Sequence, residues 1–108
     1  VQNFVFRNQG DGTFQEIGAA SGLALDAFGG TRGAMGIDAA PLDGDDQLAI
    51  AIGNFANEMT ALYVAQPTPL LFSDEAMTRG IGHATRLSLT FGVFFFDYDL
   101  DGWLDLLT

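Results

Sequence analysis

Four aspartates, Asp97, Asp99, Asp101 and Asp105, fall within nine residues of a stretch, FFFDYDLDGWLDLL, that otherwise reads as buried strand. Counted from Asp97 they take positions 1, 3, 5 and 9, with Gly102 at position 6. Alternate spacing lets the first three carboxylates point into one concavity while the chain curls around it. Glycine at position 6 accepts positive φ without a Cβ clash and so permits the sharp turn. The carbonyl of Trp103, at position 7, can also turn inward. Hard oxygen donors in this number suit Ca2+ far better than zinc or copper. A bound dication would offset the repulsion among the acids. The plainer alternative is a set of Asx turns in an exposed loop. One pair of acids would deserve that reading; four at this spacing with the glycine favour calcium. The motif is not an EF-hand: position 12 is Thr108 instead of glutamate, and the flanks GVFFF and WLDLL read as strands.

The elements that must position this loop are short strands. NFVFR, TFQEI, AMGIDAA, QLAIAIG, TALYVA, PLLFS, TFGVFFF and WLDLL are strand-like and mostly separated by turn residues. NQGDGTF carries a Gly-Asp-Gly turn, a hairpin signal. EIGAASGLALDAFGG and DEAMTRGIGHATRLS each hold a short helical turn or an irregular loop.

The chain also repeats itself. MGIDAAPLDGDDQLAIAI (35–52) aligns with FGVFFFDYDLDGWLDLLT (91–108), so that Gly36, Asp43 and Asp45 precede Gly92, Asp99 and Asp101 by 56 residues each. More loosely, NFVFRNQGDGTFQEI parallels TALYVAQPTPLLFSD, with Phe6 near Tyr63 and Phe14 near Phe72. Eight strands over two repeats predict two four-stranded antiparallel blades of a β-propeller, an all-β fold. The first repeat covers about 1–58 and has a degenerate calcium loop; the second covers 59–108 and has the intact one. In the degenerate copy Pro41 and Ala49 replace the acids at positions 1 and 9, and Asp46 replaces the glycine. Little or no metal affinity is expected there. Two blades cannot close a ring of the usual four to eight, so further blades of the same protein or self-association are expected.

Composition narrows the partners. Fourteen acids against four basic residues, all arginine, give a net charge of −10. That argues against a nucleic-acid partner, which needs a basic footprint, and suits a cation. The absence of cysteine excludes disulfides and thiolate metal sites. No apolar run reaches a membrane span, so no membrane insertion is expected. VQNFVFRNQG lacks the basic and apolar regions of a signal peptide.

At Phe91–Gly92 and DYDLDGWLD the sequence resembles the FG-GAP/VCBS-like repeat, the calcium-loop blade of integrin-type β-propellers. NFVFRNQGDGTFQEIGAASGLA, MGIDAA and GNFANE look like proteins that pair such repeats with an ASPIC/UnbV domain, which is not in this chain. The resemblance spans essentially the whole chain. It implies calcium bound by Asp97, Asp99, Asp101, Trp103 (through its carbonyl) and Asp105. It implies a structural or adhesive module of a secreted, periplasmic or cell-surface protein, with a protein or glycan ligand. It does not carry securely onto the Pro41–Ala49 loop.

No Ser-His-Asp elbow, phosphate loop or HExxH motif is present, and the module is not expected to be an enzyme. The alternative from another class is the propeller portion of a carbohydrate-active enzyme, a polysaccharide lyase or hydrolase, with its catalytic residues outside this chain. His83, the single histidine, is expected in a loop with no positioned partner. Trp103 and Phe94–Phe96 are expected in the core or between blades. Asn54 and Asn57 either cap a turn or line a ligand-facing loop, the turn being favoured.

Overall fold

A computed structural model describes residues 1–42 and 47–108. All eight strand-like segments form strands. β1 is Phe6–Asn8, β2 Phe14–Glu16, β3 Ala34–Leu42 and β4 Gln47–Asn54. β5 is Ala61–Ala65, β6 Phe72–Asp74, β7 Phe94–Phe96 and β8 Asp105–Leu107. The two loose segments hold one helical turn each, α1 at Gly18–Ser21 and α2 at Ile81–Thr85. His83 therefore sits on α2, not in a loop.

The strands are grouped two, four and two, not four and four as expected. β3-β4-β5-β6 form one antiparallel, blade-like sheet, flanked by the hairpins β1-β2 and β7-β8. The four-stranded sheet straddles residue 58, so the sheets and the sequence repeats are out of phase. The reason lies in the pairing: each strand pairs with its chain neighbour, and the ladder starts at β3.

Strand alternation gives the central sheet two apolar faces. Ala49 and Ala51 of β4 with Leu62 and Val64 of β5 pack on one side, where Val93, Phe95 and Leu106 of the β7-β8 unit cover them. Ile50 and Ile52 with Ala61 and Tyr63 face the other side, against Val5 and Leu23 of the β1-β2 unit. Small residues on the first face let the β7-β8 hairpin approach closely. Gly36 and Gly53 are cross-strand partners there. A Cβ on Gly36 would overlap the Phe91 carbonyl oxygen, and one on Gly53 would lie 2.6 Å from Thr90 Cγ2. The Asp38 carboxylate completes the docking by accepting the Phe95 N–H at 2.8 Å.

The repeat is structural as well as sequential. β7-β8 pairs 94 with 107, 95 with 106 and 96 with 105. Residues 56 earlier pair identically in β3-β4: 38 with 51, 39 with 50 and 40 with 49. The β1-β2 hairpin and the β5-β6 pair share a carboxylate device. Glu16 Oε1 accepts the N–H of Val5 (3.1 Å) and Gly18 (2.7 Å). Asp74 Oδ1 accepts those of Leu62 (3.2 Å) and Ala76 (3.1 Å). So β1-β2 corresponds to β5-β6, and β7-β8 to β3-β4.

Candidate metal centre

The loop joining β7 to β8 carries the candidate ligands. Phe96 and Asp105 close the hairpin ladder, so Asp97 leaves one strand as Asp105 enters the other. One carboxylate oxygen from each of Asp97, Asp99 and Asp105 lies within 4.8 Å of the others. Asp101 stands outside this group, and its Oδ1 accepts the Trp103 N–H at 2.8 Å. Asp97 is partly buried and the other three acids are exposed.

The backbone curls as the spacing requires. Gly102 adopts φ 92°, and Leu100 takes the left-handed region at φ 62°. A branched side chain there is uncommon and carries some strain. The acids hold the curl together. Asp97 accepts N–H groups from Asp101 (3.0 Å) and Gly102 (2.9 Å). Asp99 Oδ1 accepts the Asp101 N–H at 3.3 Å, and Asp105 Oδ2 accepts that of Tyr98 at 3.0 Å. The Asp99 and Asp101 contacts have the two-residue spacing of Asx turns, so the plainer alternative is met in part.

One oxygen from each of Asp97, Asp99 and Asp105 is close enough to the others to share a cation. Ca–O distances of about 2.3–2.6 Å place opposed ligands about 4.6–5.2 Å apart. Three oxygens within 4.8 Å of one another match that sphere. Each carboxylate has lone pairs beyond those its N–H partners use. Asp97, Asp99 and Asp105 would hold the ion, and its charge would stabilise the loop.

The first copy differs in a legible way. Asp43, Asp45 and Asp46 lie outside the described residues. The β3-β4 ladder continues to Leu42 and Gln47, so Pro41 and Ala49 are strand residues. Ala49 is fully buried in the interface with the β7-β8 hairpin. A carboxylate at that place would be desolvated.

Two aromatic expectations divide. Phe95 packs between the sheets as expected. Trp103 and Phe94 do not enter the core: they are 55% and 45% exposed. Asn54 proves structural. It is buried, and its Nδ2 donates to the Met59 carbonyl at 2.7 Å across the β4-β5 turn. Asn57 occupies that turn at φ 71°.

A polar network not anticipated from the sequence braces the opposite side of the sheet. Arg32 Nε pairs with Asp26 Oδ2 at 3.0 Å, and its Nη1 lies 3.6 Å from Asp74 Oδ2 and donates to the Met59 carbonyl at 3.0 Å. Burial pushes the Asp26 carboxyl upward, but the N–H groups of Gly30 and Phe28 and the Arg32 guanidinium outweigh it and hold the group below its ordinary range. Asp26 and Asp74 are far apart in sequence, and no local pattern signals their meeting. Among the described residues no helix is long and apolar enough to cross a membrane. Compared with protein-family models, curated proteins and solved structures, the chain matches none.

Proposed function

We propose that this chain is a calcium-stabilised structural module of β-propeller type, related to the FG-GAP/VCBS-like repeats it resembles. The carrying observation is the convergence of Asp97, Asp99 and Asp105 oxygens within 4.8 Å at the mouth of a hairpin. The role of the site is architectural. A dication joins the two ends of the loop and neutralises acids that otherwise repel, so β7 and β8 stay paired. Asp101 and the Trp103 carbonyl complete the ligand set by a rotation of the exposed loop, at the cost of the Asp101–Trp103 hydrogen bond. The module presents loops to a protein or glycan ligand outside the cell, and performs no chemistry of its own.

Calorimetric titration of metal-stripped protein tests this reading. About one equivalent of calcium per chain is expected, with a dissociation constant near 10⁻⁴–10⁻³ M as in extracellular modules. Two equal sites would mean that the Pro41–Ala49 loop has kept its affinity. No binding in millimolar calcium would leave the acids as turn formers.

A further inference from the structure

We propose that the apolar cleft between β1 and β3 receives the β7-β8 hairpin of a second copy of this chain, joining β1-β2 into a complete four-stranded sheet. The cleft holds about 420 Å³ and is lined by Phe4, Val5, Met35, Ile37, Ile50 and Ile52. It lies on one face of the central sheet. The opposite face of the same sheet is already covered by β7-β8, so the chain itself shows what such a face takes.

Equivalent residues of the two repeats differ in burial according to whether the β7-β8 hairpin covers them. Ala51 is fully buried and its counterpart Leu107 is 46% exposed; Leu42 is 9% exposed and its counterpart Tyr98 is 75% exposed. On the other face the order reverses: Val93 is 7% exposed and its counterpart Ile37 67%. The outer face of β7-β8 and the β3 side of the cleft are therefore both open in the single chain. Gly92 supports the same conclusion. Its counterpart Gly36 is crowded by the Phe91 carbonyl, whereas a Cβ on Gly92 would meet nothing within 4 Å.

The two open surfaces complement each other. β7-β8 corresponds to the first two strands of the central sheet, and β1-β2 to the last two. Edge pairing of β8 from one copy with β1 of the next repeats the β4-β5 ladder, in which Ile50 faces Tyr63, and sets Leu106 opposite Phe6. The row of exposed Phe94, half-buried Phe96 and exposed Tyr98, with ring centroids 5.5 and 6.1 Å apart, then enters the cleft. Such contact is heterologous and head-to-tail, and closes as a ring of about two to four copies if four to eight blades result. The inference rests on the sheet topology and not on the metal, so it survives if the aspartate loop binds nothing.

Sedimentation of the chain from about 1 to 100 µM tests it, with two variants that each spoil one surface. Gly92→Val blocks the donor hairpin, and Ile37→Asp blocks the cleft. Both positions are open in the single chain, so both variants should keep the parental melting curve; Phe94→Asp serves as a second donor variant. The parent should associate, and each variant alone should weaken association at least about tenfold. An equimolar mixture of Gly92→Val and Ile37→Asp should form one-to-one dimers and nothing larger, the signature of a head-to-tail contact. A parent that stays monomeric throughout would overturn the proposal and assign the cleft to a segment of another or a longer chain. Association untouched by either variant, or a mixture that remains monomeric, would overturn it too.

Discussion

Gly36 and Gly92 occupy equivalent places in the two repeats and make opposite predictions. A Cβ on Gly36 meets the Phe91 backbone, which is not free to yield. Gly36→Ala should therefore cost about 1–3 kcal/mol, as overpacking does. Gly92→Ala should change the stability of the single chain by less than about 0.5 kcal/mol, a surface-like effect. Urea denaturation of both variants measures the difference; equal costs would contradict the close approach of the Thr90–Val93 segment to β3. Tyr63 supplies a pH prediction. Burial, with the nearby Asp74 charge, pushes its hydroxyl up to about 12, and its OH donates to the Leu25 carbonyl at 3.1 Å. The folded value lies above the ordinary 10, so the contribution is fully present below pH 10 and is lost as pH rises through about 12. Tyr63→Phe should cost about 1 kcal/mol near neutral pH through the lost hydrogen bond. It should also flatten the alkaline loss, seen by comparing denaturation at about pH 8 and about pH 11. An unchanged alkaline slope would place the titration elsewhere.

At the level of elements, a hydrogen bond to Asp38 and an apolar interface hold the β7-β8 hairpin to the central sheet. Asp38→Ala leaves the Phe95 N–H without its 2.8 Å acceptor, a loss of about 1–3 kcal/mol where the site stays dry. Hydrogen exchange should show faster exchange at Phe95 and Leu107, with little change in β4 and β5. Uniform acceleration over all strands would mean that the hairpin and sheet unfold together. The eight strands themselves were legible because alternation and turn residues are local signals. Their grouping was not, because hydrogen-bond partners are chosen across the chain; nothing in TALYVA reveals that it joins QLAIAIG instead of opening a new sheet. Burial was legible only in part. Phe95 and Leu106 pack against the central sheet, but Phe94 and Trp103, equally apolar, remain exposed. A strand's two faces look alike in sequence when both are meant to be covered, as in the run Phe94–Phe96.

For the whole molecule, charge and metal set the conditions of stability. Ten net negative charges oppose compaction, and the aspartate loop concentrates four of the acids at one end. The spacing 1, 3, 5, 9 with glycine at 6 made the loop legible from sequence, and its curl follows that spacing. The separation of Asp101 from the other three was not legible, because spacing does not say which carboxylate caps the local backbone. Asp99 is therefore the better ligand candidate than Asp101: it belongs to the tight group, and its backbone hydrogen bond is long, at 3.3 Å. Asp99→Asn keeps the size and one oxygen but removes the charge. Calcium that binds only the folded chain adds about 0.4–1.4 kcal/mol at about 1 mM for a dissociation constant near 10⁻⁴–10⁻³ M, several degrees in melting temperature for a domain of this size. In chelator the variant should match or exceed the parent, since one of four clustered charges is gone. The most direct measurement is thus the melting temperature of parent and Asp99→Asn, each in millimolar calcium and in chelator. With calcium the parent should melt several degrees higher and the variant almost unchanged; equal rises for both, or none for the parent, would mean that the aspartate loop does not hold calcium.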